Sequence, residues 1–232
     1  MARYTQSYSS FVRRLDEVIA LQQLADTMEV ENPITLRDEI NALCRGSIVL
    51  LSSHIEGYIK DLGELTLESI YSKKLDRKKI PIRVFYHVSK NYFDDLKEIT
   101  DPAKAARRVH EFMENDSEYW LLKGTLRKSL PSVRFNQGFS NPNYKKIRGY
   151  FQRFGYSKYN GDLKRNLKSD YAVSVNMLNH IVDIRNKIAH GDISETKTPE
   201  EIAKMISIVK GYCRMTDIVF ANWCRSELCG IR

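Results

Sequence analysis

The chain has 232 residues, with 37 Lys or Arg against 29 Asp or Glu, a formal net charge of +8 and a mean hydropathy of −0.44. Its 42% hydrophobic and 28% charged residues are the proportions of a folded soluble protein, not of a disordered or fibrous one. No run approaches the roughly 18 apolar residues of a membrane span, residues 1–5 lack the apolar core of a signal peptide, and four cysteines without a Cys-x-x-Cys pair suggest free thiols in the cytoplasm, not a disulfide framework or a zinc site.

Taken in order, Val12, Leu15, Val18, Leu21, Leu24 and Met28 predict a first helix that stops before Asn32-Pro33. A second, long helix is expected from about Thr35 to Ser72. Its buried stripe would be Ile40, Leu43 or Cys44, Ile48, Leu51, Ile55, Tyr58, Leu62 and Leu65, with no proline to interrupt it. Residues 73–79 read as a basic turn, and Val84 through Leu96 as helical. Asp101-Pro102 supplies a cap and a first-turn proline for a helix running to about Glu114.

Residues 124–161 hold five glycines and two prolines and read as loop-rich, with a short helix from Pro142 to about Phe154. The chain is expected to be one domain over residues 1–232 with a basic, aromatic insert at about 121–165. Residues 121–170 contain twelve Lys or Arg and only two acids, Asp162 and Asp170, while the remainder, with 25 basic and 27 acidic residues, is close to neutral. A basic block on a neutral body is the footprint of an anion-binding surface. Lys145, Lys146, Arg148 and Arg153 are the expected RNA contacts. The interleaved Phe135, Phe139, Tyr144, Tyr150, Phe151, Phe154, Tyr156 and Tyr159 either stack on unpaired bases or anchor the insert to the core.

A helix from about Asp170 to Ala189 follows. Leu178, Ile181, Ile184 and Ile188 make its apolar face. Asn176, Asn179, Asp183, Asn186 and His190 make a polar one, and Gly191 reads as the residue just past the helix end. Thr198-Pro199-Glu200-Glu201 is a capping box. The last helix carries Ile202, Ile206, Val209, Cys213, Thr216, Phe220 and Trp223 on one stripe. With no convincing strand run, the fold class is an all-α bundle.

Arg185-Asn186-x-x-x-His190 resembles the Arg-polar-x(3–5)-His signature of the HEPN superfamily, helical domains that include many metal-independent RNases. Leu50-Leu51-Ser52-Ser53-His54-Ile55-Glu56-Gly57-Tyr58-Ile59-Lys60 resembles the long-helix motif of its standalone bacterial branch, grouped with the RiboL-PSP-type proteins and often encoded beside defence or toxin–antitoxin genes. The resemblance implies an endoribonuclease with Arg185 and His190 as catalytic residues and Asn186 as their polar accessory. It implies a homodimer whose two motifs face each other, Glu56 as a polar partner of the motif helix, and no cofactor or metal. His54, Glu56 and Asp183 are the possible supporting residues. Since His54 and Glu56 are two apart on a helix, they cannot both face one site.

The chemistry suits the residues. RNA brings its own 2′-hydroxyl nucleophile, so cleavage needs proton transfer, which a histidine can give, and charge on the phosphorane, which a guanidinium fork can give. The alternatives are a helix-capping His190 with a surface Arg185, a non-catalytic RNA- or nucleotide-binding scaffold, and an adaptor docking an antitoxin or defence partner.

Overall fold

A computed structural model describes residues 4–192 and 194–231. Ten α-helices account for the fold: α1 (Gln6–Glu31), α2 (Arg37–Ser72), α3 (Ile82–Val88), α4 (Lys90–Glu98), α5 (Pro102–Asn115), α6 (Ser132–Asn136), α7 (Tyr144–Arg153), α8 (Tyr159–Leu167), α9 (Asp170–Ala189) and α10 (Pro199–Trp223). A single turn of π-helix, Cys224–Leu228, follows α10. Among the described residues there is no strand, only an isolated bridge between Asp76 and Thr125. The all-α expectation is met, and no helix among the described residues is long and apolar enough to cross a membrane.

The spine is α2. Ile40, Cys44, Ile48, Leu51, Ile55, Tyr58, Ile59 and Leu62 are buried along it, with Leu43 and Leu65 half-buried at the edges of the stripe. Helix α1 packs against α2 through Phe11, Leu15, Val18 and Ala25. Helices α9 and α10 pack against α2 and each other. Asp217 ties the start of the described chain to the last long helix. Its carboxylate on α10 accepts from the Thr5 N–H at 3.0 Å, from the Thr5 hydroxyl and from the Tyr58 hydroxyl at 3.5 Å. Thr5 also caps α1 by accepting from the Tyr8 N–H, and burial pushes the Asp217 carboxyl upward.

Sequence and structure part company between residues 82 and 167. The segment from Val84 to Leu96 is broken at Ser89, whose hydroxyl donates to the fully buried Asp116 at 2.7 Å while accepting from Trp120 Nε1 at 3.1 Å. Arg134 closes the cluster with two parallel hydrogen bonds to the same carboxylate, at 3.0 and 2.9 Å. Residues 124–161 are loop-rich as expected, with the short α6 added before the expected α7 and α8 beginning only at Tyr159. Aromatic burial ties this segment down. Phe135, Phe139, Tyr144, Tyr150, Phe151, Phe154, Tyr156 and Tyr159 all lie in the buried core, so none offers a free face to a base. Phe151 and Phe154 pack on Phe220 of α10, and the Tyr159 hydroxyl meets those of Tyr212 and Thr216 at 2.7 and 2.9 Å.

Where α7 crosses α2, Gly63 makes room for Tyr150, whose hydroxyl donates to Asn136 Oδ1 at 2.5 Å. A Cβ added at Gly63 would stand 1.7 Å from the Tyr150 oxygen and 2.8 Å from the ring carbon bearing it. Helix propensity alone would favour Ala there by about 1 kcal/mol. Displacing a buried tyrosine outweighs it, so Gly63→Ala should destabilise the chain by about 1–3 kcal/mol, read as a lower urea midpoint.

Candidate active site

Helix α9 spans Asp170 to Ala189 as its periodicity predicts, and its end is built by hydrogen bonds. His190 is the capping residue, and its N–H donates to the Asn186 and Lys187 carbonyls at 3.0 and 3.1 Å. The Gly191 N–H donates to Ile188 O and the Asp192 N–H to Lys187 O, both at 3.0 Å, which is the paired pattern of a Schellman stop. Gly191 has φ +85°, a conformation that glycine takes without a Cβ penalty. An ion pair between Lys187 and Glu195 and the Asp192–Ser194 turn hold the exit loop back toward the last turn of the helix. The imidazole of His190 therefore leaves from a fixed backbone and is exposed.

Arg185 is rooted on the bundle side of α9, on the same stripe as the buried Leu178 and Ile181. Its half-buried guanidinium turns to the polar side, where Nη1 donates to Asn186 Oδ1 at 3.3 Å. It makes no ion pair with any described residue, which leaves its remaining donors free to meet an anion. Asp183 is exposed one turn earlier on the same polar face. Arg185, Asn186 and His190 are thus gathered at one end of α9, on an open surface. Among the larger cavities, one of about 500 Å³ lies between the α1–α2 turn and the start of α10, lined in part by Ile34, Arg37 and Lys197. Another, of about 540 Å³, lies beside Trp223. Neither is lined by the three motif residues.

The supporting residues fall elsewhere. Glu56 is half-buried and accepts from Lys60 Nζ at 2.6 Å and from the Asn141 N–H at 3.1 Å, so its partners are its own helix and the turn before α7 rather than α9 itself. That turn is what reaches α9: the Tyr144 N–H donates to Asn179 Oδ1 at 3.1 Å, and Asn143 caps α7 through the Lys146 N–H. His54 points the other way, toward α1, with Nε2 3.4 Å from a Glu17 carboxylate oxygen and without a hydrogen bond. It cannot join Arg185 and His190. His87 lies against Phe135 and Tyr86, His110 pairs with Glu114, and His180 is exposed on α9. Among the described residues, no group of three or more His, Cys, Asp and Glu is placed to hold a metal ion.

Of the expected RNA contacts, Lys145, Lys146 and Arg148 are exposed, with Lys146 donating to the Ser140 carbonyl at 2.8 Å. Arg153 is different and must be corrected to a structural residue. Its guanidinium donates to the Phe135 and Gln137 carbonyls and lies over the Phe135 and Tyr150 rings. The signal that could have shown this is the spacing of Tyr144, Ile147, Tyr150, Phe151 and Phe154, which makes Arg153 a flank of an apolar face.

An all-α bundle in which a long second helix packs against a helix ending in Arg185-Asn186-x-x-x-His190 is the architecture of a HEPN-type domain. A family model described as RiboL-PSP-HEPN matches residues 9–222, and the chain belongs to that family. Comparison with curated proteins and with solved structures gave no match.

Two of the histidines make the chain acid-sensitive. Burial, with Arg153, Lys90 and Arg83 nearby, pushes His87 from the ordinary 6.5 down to about 4. Burial also lowers His54 against the opposing pull of Glu17. The folded form then binds fewer protons than the unfolded form below about 6.5, so stability is full above that pH and lost as pH falls toward 4. Melting temperature should drop between pH 7 and 5, and the drop should be smaller in His87→Gln. An equal drop in that variant would remove His87 as the cause.

Proposed function

We propose that the chain is a single HEPN-like domain acting in the cytoplasm as a metal-independent endoribonuclease, with Arg185 and His190 as catalytic residues and Asn186 as their orienting partner. The observation that carries this reading is that a guanidinium without an ion pair, hydrogen-bonded to an amide, and an exposed histidine lie within six residues at the stopped end of α9. The 2′-hydroxyl attacks the adjacent phosphorus. Arg185 meets the equatorial oxygens, which gain charge in the phosphorane, and His190 moves the proton. The products would be a 2′,3′-cyclic phosphate and a 5′-hydroxyl.

One His190 cannot be both proton acceptor and proton donor in the same instant. The remaining histidines do not supply the second role, since His54 faces α1, His87 packs against Phe135 and His110 sits beside Glu114 on α5. His180, ten residues before His190 on α9, is roughly 15 Å away along the axis. We therefore read the site as composite: two copies of the chain meet about a twofold with their α9 ends opposed. A toxin or antiphage effector, restrained by an antitoxin or a defence-complex partner, is the role this chemistry fits.

His190→Ala should abolish cleavage of total RNA in excess EDTA, with helical circular dichroism and melting temperature unchanged, because an exposed helix-end side chain holds little core. Arg185→Lys should not rescue Arg185→Ala, since the ammonium lacks the two-pronged fork. Full activity of His190→Ala would reject the site. Binding without cleavage by the wild-type chain would favour a non-catalytic RNA-binding scaffold.

For the composite site, wild-type chains are mixed with equal amounts of His190→Ala under exchange followed by a mass tag. Activity per wild-type chain should fall to roughly half by random pairing. Constant activity per wild-type chain would show that each chain works alone.

A further inference from the structure

Helix α7 is well chosen on its buried face and badly chosen on its exposed one. Tyr144, Ile147, Tyr150 and Phe151 are buried at helical spacing. The exposed side carries Lys145 and Lys146 in the first turn, where the helix dipole disfavours cations and no acid balances them. Arg148 and Gly149 follow on that side, and Gly149 costs about 1 kcal/mol relative to Ala in a helix interior. Nothing in the fold requires this glycine: a Cβ there would meet no atom within 4 Å. Lys145, Lys146 and Arg148 also form no ion pair with any described residue, although Lys146 donates to a carbonyl. Local costs with no structural return, concentrated on one exposed patch, point to a ligand that is anionic and approaches the backbone closely.

The patch is joined to the α9 face. Tyr144 N–H on Asn179 Oδ1 fixes the start of α7 against the middle of α9. From there Asn179 and Asn186 lie two turns apart on one face of α9, with the exposed Asp183 between them and Lys187 one turn beyond it to offset its charge. The eleven helical steps from Asn179 to His190 span roughly 16 Å, the length of about five phosphates of a stacked strand.

We propose that the exposed face of α7 and the Asn179–Asn186 edge of α9 form one track for single-stranded RNA, with Arg185 and His190 at one end and Lys145, Lys146 and Arg148 at the other. Because the insert aromatics are buried, the track grips backbone and sugar through cations and amides, so it tolerates sequence and responds strongly to salt. The proposal rests on the ribonuclease reading in that its active end is the Arg185–His190 site.

The test measures binding, by fluorescence anisotropy, of single-stranded RNAs of three to ten nucleotides to the His190→Ala chain, which keeps the probe intact. The same series is run with Lys145→Glu and Lys146→Glu added together. Affinity should rise roughly tenfold once the RNA reaches the far end, at about five nucleotides beyond the shortest probe, and the log–log salt slope should fall by roughly 1–2 in the charge-reversed chain. That chain should lose the rise. Gly149→Ala should raise the melting temperature yet weaken binding of the long probes severalfold. Smooth binding across all lengths, or a rise untouched by the charge reversal, would overturn the track. Equal competition by poly-glutamate against long and short probes would also overturn it, in favour of an acidic protein partner. Short substrates still cut by a wild-type chain that shows no length step would sink the track and spare the catalytic reading. A length step in a chain that cuts nothing would do the reverse.

Discussion

The seam of aromatic rings between α7 and α10 is the constraint on which the rest depends. Phe151 sits 4.6 Å from both Tyr159 and Phe220, Phe154 lies 4.6 Å from Phe135, and Tyr156 stacks on Trp223 at 4.8 Å. Burying rings of this size is among the largest apolar gains available to a side chain, and here they are recruited from a stretch otherwise rich in lysine, arginine and glycine. From α7, Tyr150 reaches α2 at Gly63. That in turn sets the Ser140–Tyr144 turn against both Glu56 of α2 and Asn179 of α9. The orientation of the motif helix relative to the basic surface therefore follows from packing several residues away from either.

Charge follows the same division. The aromatic face cannot tolerate unpaired ions, so the arginines near it are compensated: Arg134 by the buried Asp116, and Arg153 by two carbonyls and two rings. Burial lowers even the Arg153 guanidinium. The lysines on the outer face keep their water and need no such partners. Around the seam the basic residues are thus split into compensated arginines inside and the exposed Lys145, Lys146 and Arg148, without ion pairs among the described residues, outside.

How much of this was legible depended on how local the signal was. Helices α2, α9 and α10 were readable almost to the residue, because long apolar stripes, Asn32-Pro33, Gly191 and the Thr198–Glu201 box are all local devices. Helix α8 was not, since it buries only Tyr159 and Leu163 and carries a glycine and several charges. The fate of the aromatics depended on which neighbour they met, as cations alternating with rings suit a base-stacking platform and a short amphipathic helix equally. At the candidate site, the motif spelled out Arg185 and His190 but not their geometry. Residues five apart on a helix point about 140° from each other, and the swing of Arg185 round to Asn186 is a three-dimensional fact. Glu56 read as a polar partner of the motif helix, but its hydrogen bonds go to Lys60 and to the Asn141 N–H, a pairing that only the fold reveals.

The end of α9 that bears the motif is open to solvent. A catalytic pair sunk in a pocket would hold its electrostatic advantage in one protomer, because low-dielectric walls strengthen each charge–charge contact. Arg185 and His190 have no such walls, and on an open helix end water screens them. On the proposed reading, the second copy therefore supplies two things at once: the other proton carrier and the surface that expels water. Two opposed copies of His190 would give the acid and base roles to one residue type. A site assembled in this way has little activity in an isolated chain, and any partner that covers the α9 end silences it without touching the chemistry. Control by masking a surface and catalysis by joining two of them are then the same physical event seen from opposite sides.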